Sequence, residues 1–144
     1  LVRSRGLGDV YKRQVLVSGL LRPHSKPATI LRLVATGLLR VAYDERILAE
    51  YREVLARPKF PFSSERIRVF LDQIETEGEA VAALPVKPDL PDPDDAPFLE
   101  VAVAARADAL ITGNPRHYAA RARHGISILD PAAFLDRWTR RSKR

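Results

Sequence analysis

Apolar positions recur along the chain at two periods, and each period marks a kind of element. Ile30, Leu31 and Val34 share one face of a segment from Pro27 to Thr36, which predicts a helix with proline near its start. Gly37 ends it, and Leu38 to Tyr43 reads as a short strand. Asp44 suits the N-cap of a helix running to about Ala56, where Pro58 stops it. Ile47, Leu48, Tyr51, Val54 and Leu55 form the inward stripe of that helix. After a turn at Phe60-Pro61-Phe62, Ser63 or Ser64 caps a helix from about Glu65 to Val81. Its predicted apolar face is Ile67, Val69, Phe70, Leu71 and Ile74.

A brief apolar piece, Ala83 to Val86, precedes a proline-rich loop from Pro88 to Pro93. The pattern then predicts a helix from about Asp94 to Arg106 and a strand over 109–112 that ends at Gly113-Asn114. His117 to His124 reads as a loop and Ile126 to Leu129 as the last strand. Asp130 caps a final helix with Pro131 in first position and Phe134, Leu135 and Trp138 facing inward. Near the start, Val15 to Ser18 reads as a strand end. Strands alternating with helices predict an α/β fold, a mainly parallel sheet with helices on both faces.

The first 14 residues, LVRSRGLGDVYKRQ, do not share this patterning. Their apolar periodicity is poor, and Lys12, Arg13 and Gln14 suit no core strand. The expected organisation is a non-native or truncated leader over 1–14, a domain over 15–138 and a basic tail over 139–144.

Composition narrows the classes. A chain of 144 residues, 46% hydrophobic and 29% charged, is one ordinary domain in size and polarity. Its apolar runs fall short of the roughly 20 residues that a membrane span needs. With no cysteine, disulfides, thiolate catalysis and cysteine-bound zinc are excluded, which fits a cytoplasmic place of action. The formal charge of +6 is unevenly spread. Arginine and lysine crowd both ends, while 89–100 is acidic. An acidic pocket in a basic surround suits a metal site acting on a phosphate backbone; solvated basic tails are the plainer explanation.

Asp92, Asp94 and Asp95 open the helix after the proline-rich loop. Asp94 is explained as its cap. Asp95 is not, because helical spacing aligns it with Phe98, Leu99 and Ala102 on the buried face. Glu50 lies on the shoulder of its apolar stripe, so its carboxylate either reaches the rim or points into a cleft; Glu45 and Glu53 lie further round towards water. Thr112, Gly113 and Asn114 follow a strand and make either a plain turn or a polar edge. Acids that converge at one sheet edge repel one another unless a cation neutralises them. Oxygen donors of this kind select Mg2+ or Mn2+, and such an ion supports phosphodiester cleavage.

Five segments together resemble the PIN-domain family, in particular the toxin ribonucleases of bacterial toxin–antitoxin pairs. They are VLVSGLL (15–21), ILAEYREVLARPKF (47–60), DPDDAPFLEVA (92–102), ADALITGNPRH (107–117) and ILDPAAFL (128–135). The resemblance implies a three-layer α/β/α sandwich and a Mg2+- or Mn2+-dependent endoribonuclease that cuts single-stranded RNA. It implies a cognate antitoxin as partner, a homodimer as a common state, and no membrane. By the same resemblance Glu50 and Asp95 are catalytic metal ligands, with Asp92, Asp94 and Asn114 around the ion. Ser18 and Thr112 support the site, and Arg116 and His117 contact RNA.

One departure stands out. Where the family has Asp-Thr-Asn before its first motif, this chain has Lys12, Arg13 and Gln14. An ammonium in place of the leading aspartate competes with a metal ion, so weak or absent cleavage is expected of the chain as written. The alternative function is therefore a catalytically silent PIN fold that binds RNA or a partner protein. A phospho-acceptor receiver-like domain fits less well, because its acids and lysine would fall in the wrong order.

Overall fold

The computed structural model describes residues 8–86, 90, 92–119 and 123–142. In chain order the elements are β1 (Gly8–Tyr11), α1 (Arg13–Leu21), α2 (Lys26–Ala35), β2 (Arg40–Tyr43) and α3 (Glu45–Leu55). There follow α4 (Ser64–Glu77), β3 (Glu79–Ala80), a 3-10 turn (Pro93–Asp95), α5 (Ala96–Ala105) and β4 (Leu110–Ile111). A second 3-10 turn (Pro115–His117), β5 (Ile128–Leu129) and α6 (Pro131–Ser142) complete the described chain.

Capping side chains place most helix starts where the pattern puts them. Ser25 Oγ accepts from the Ala28 N–H at 3.2 Å, and Asp44 Oδ1 from Ile47 at 3.1 Å. Ser63 Oγ accepts from Arg66 at 3.1 Å, and Asp130 Oδ1 from Ala133 at 2.7 Å. Each bond satisfies an amide that has no partner within the first turn. The stripe Ile47, Leu48, Tyr51, Val54 and Leu55 is buried throughout.

Three elements differ from expectation. Val15 to Ser18 is not a strand but the middle of α1. A short wholly apolar run fits a buried helix as well as a buried strand, and the strand position it would have filled is taken by Gly8–Tyr11. The helix predicted to reach Val81 stops at Gly78, and Glu79-Ala80 joins the sheet beside β2. On that helix Leu71 and Ile74 are buried, whereas Val69 is 56% exposed and faces away from the core. The helix after the acidic loop is capped otherwise than predicted. Asp92, not Asp94, accepts the capping bond, from the Asp94 N–H at 2.9 Å, and opens the 3-10 turn.

All strand pairs are parallel, in the order β3-β2-β1-β4-β5. β1 is central, with Gly8 opposite Arg40, Asp9 opposite Val41, Val10 opposite Leu110 and Tyr11 opposite Ile111. From β1 the chain crosses to β2 on one side; after β3 it returns past β1 to β4 on the other. This reversal of direction opens a crevice at the carboxyl ends of β1 and β4, where open parallel sheets place their sites. α1 packs on α2 and α3, while α5 lies against β1, β2 and β4. Gly19 permits the close approach of α1 to α2, since a Cβ there would lie 2.6 Å from Leu31 Cδ1.

Candidate functional site

The residue that follows β1 is Lys12, and the one that follows β4 is Thr112. Both are buried, and both are fixed by the sheet. The Lys12 N–H donates to the Ile111 carbonyl at 3.0 Å, and the Thr112 N–H donates to the Leu129 carbonyl at 2.9 Å. Against Lys12 lies Asp95, delivered by the 3-10 turn that precedes α5. Its carboxylate is 6% exposed, and Oδ1 accepts a hydrogen bond from Lys12 Nζ in a buried ion pair. The same ammonium lies 4.4 Å from the centre of the Phe98 ring and 5.9 Å from that of Tyr118.

Glu50 arrives from α3. Its Oε1 accepts from Arg13 Nη1 at 2.5 Å, and both side chains are about a quarter exposed. Consecutive residues after β1 thus hold the two acids that sequence reasoning singled out. Tyr118 feels the charge of both acids. Burial holds its phenol well above the usual range, and the charges of Asp95 and then Glu50 push it further the same way. Its hydroxyl donates to the Asp95 backbone carbonyl at 2.9 Å, which pins the first turn of α5 against the loop after β4.

That loop is a compact polar turn. Thr112 Oγ1 accepts from the Asn114 N–H at 3.2 Å, and the Asn114 amide lies 3.0 Å from His117 Nε2. The other ring nitrogen, Nδ1, lies 3.8 Å from Asp95 Oδ2. Arg123 braces the turn by donating to the carbonyls of Tyr118 and Pro115, at 2.8 and 3.1 Å.

Of the residues expected at the site, Asp95, Glu50, Thr112, Asn114 and His117 gather at the crevice. Arg116 is exposed on the same 3-10 turn as His117. Asp92 and Asp94 are exposed, and Asp92 is occupied in capping. Ser18 lies in the interior of α1 and not at a strand end, because the run that carries it is helical. The residues that sequence reasoning left out are Arg13 as the partner of Glu50, and Tyr118. Tyr118 had a signal, an aromatic residue in a polar loop; Arg13 had none, since its partner stands 37 positions away.

The donor set does not fit a divalent ion as these side chains stand. Among the described residues no three of His, Cys, Asp and Glu are grouped to hold one, and both converging carboxylates already face a cation of the chain. A separate groove of about 500 Å³, lined by Leu20, Leu55, Phe62 and Phe70 among others, holds none of these acids.

The family model described as "PIN domain" matches residues 13–116. The match spans Glu50, Asp95 and Asn114, and it begins one residue after Lys12. Neither a curated protein nor a solved structure matches the chain.

Proposed function

The chain belongs to the PIN-domain family, and from that premise we propose that it is an RNA-directed domain with the acid site of a ribonuclease, silenced by its own cations. The fold is that of a nuclease, and the crevice between β1 and β4 is where such a fold acts. The observation that carries the reading is the buried ion pair between Lys12 and Asp95. Asp95, the acid best placed to serve the chemistry, is occupied. Single-stranded RNA lies across the crevice, with Arg116 and His117 meeting its phosphates and the basic excess of the chain adding long-range attraction. Helices on the two faces of the parallel sheet form a three-layer sandwich in this reading. The protein then acts in the cytoplasm and its object is RNA or a partner protein; a cognate antitoxin, and the homodimer common in the family, belong with the active toxin.

The active reading, a Mg2+- or Mn2+-dependent endoribonuclease toxin, is favoured by one observation. Glu50, from α3, and Asp95, from the turn before α5, are met by adjacent residues at the end of β1. The two readings separate with labelled single-stranded RNA, incubated with Mg2+ or Mn2+ and with EDTA. The unsubstituted chain is expected to retain RNA, with affinity that falls as salt rises, and to leave it intact. The Lys12→Asp variant is expected to cut it in divalent ions only, and Lys12→Asp/Asp95→Asn to lose that cutting. EDTA-sensitive cleavage by the unsubstituted chain selects the active toxin. Absence of both binding and cleavage rejects RNA as its object.

A further inference from the structure

We infer that the Lys12 ammonium is a tethered counter-ion that replaces a divalent cation at Asp95, so that this chain neither needs nor binds such an ion. The inference rests on the family reading above and concerns the regulation of that same site.

Two carboxylates brought together at a sheet edge require positive charge nearby. Here the chain supplies it twice, from adjacent positions. Lys12 reaches Asp95 and Arg13 reaches Glu50. The surroundings of the ammonium suit an organic cation. The carboxylate of Asp95 accepts from it, and the faces of Phe98 and Tyr118 lie near, with Nζ 4.4 and 5.9 Å from their centres. Aromatic faces attract ammonium groups, whereas Mg2+ and Mn2+ need oxygen donors around them.

The tether is short and fixed at its root. The Lys12 N–H donates to the Ile111 carbonyl, and the Lys12 carbonyl accepts from the Val15 N–H, both at 3.0 Å. The backbone at 12 therefore belongs to both the sheet and the start of α1, and only the side chain is free to vary. An aspartate at this position would exchange the cation for a third acid facing Asp95, and the group would then require an ion from solution. One residue thus decides between an internal and an external counter-charge.

The test reads metal, not RNA. The unsubstituted chain, Lys12→Gln and Lys12→Asp are freed of metal, and their melting temperatures are compared in EDTA, Mg2+ and Mn2+. Manganese binding is followed by the loss of the free-ion electron paramagnetic resonance signal. The unsubstituted chain is expected to show no shift and no Mn2+ uptake. Lys12→Gln and Lys12→Asp are expected to melt lower in EDTA and to recover with Mn2+, with tighter uptake in Lys12→Asp. Adding Asp95→Asn to either should abolish the recovery.

Mn2+ uptake by the unsubstituted chain that disappears in Asp95→Asn overturns the inference. So does a folded Lys12→Gln that takes up no Mn2+, or a recovery that survives Asp95→Asn. Should Lys12→Asp not fold, the other two proteins decide the question alone. Loss of RNA binding would sink the functional reading and leave this metal readout standing.

Discussion

At the scale of single residues, burial sets the worth of the two ion pairs. Lys12 and Asp95 are each 6% exposed at the side chain, so removing one partner strands the other in a medium that solvates it poorly. Asp95→Asn is expected to lose about 3–5 kcal/mol of stability, as buried pairs do when broken, read from urea unfolding. Glu50→Gln should lose less than about 1 kcal/mol, because solvent screens a pair that is a quarter exposed. Equal losses in the two variants would contradict the assignment of Asp95 as the buried partner. The special position of Asp95 was legible beforehand, since Phe98, Leu99 and Ala102 on its face are all essentially inaccessible. The partner of Glu50 was not, because a helical shoulder position is compatible with solvent or cleft, and only the neighbouring chain decides.

At the scale of elements, most caps and stripes held, with Asp94 and Val69 as the exceptions, and short apolar runs did not. Asp44, Ser63 and Asp130 each accept the bond that their sequence context suggests. The run from Val15 to Ser18 carries no period of its own, and α1 forms because Gly8–Tyr11 already fills the central strand position. The packing of that helix gives a direct test. A methyl group at Gly19 would meet Leu31 Cδ1 at 2.6 Å and the Pro27 carbonyl carbon at 3.1 Å. The leucine tip can move; the backbone cannot easily do so. Gly19→Ala is therefore expected to cost about 1–3 kcal/mol as an overpacked contact, although alanine is the better helix former. An unchanged denaturation midpoint would mean that α1 does not sit this close to α2.

At the scale of the whole molecule, the site couples to stability through Tyr118, which is buried and in contact with both the acidic turn and the loop after β4. Burial first, then Asp95 and Glu50, raise its folded pKa above an unfolded value of about 10. A raised folded pKa keeps its contribution complete below about pH 10 and loses it as pH climbs towards the folded value. Tyr118→Phe should thus unfold less steeply with pH above about 10, despite a lower stability at neutral pH from the lost bond to the Asp95 carbonyl. Parallel alkaline profiles for the two proteins would remove Tyr118 from that account. The sequence by itself determined the α/β alternation, most helix starts and the inward side of Asp95, because period and capping are local properties of the chain. The resemblance to the PIN family set the expectation of an aspartate where Lys12 stands. Only the tertiary structure decided that β1 lies at the centre of the sheet, that Lys12 is buried against an acid 83 positions away, and that Arg13 meets Glu50. Those contacts depend on strand order across a crossover, and no local pattern records which distant residue a fold will bring to a given edge.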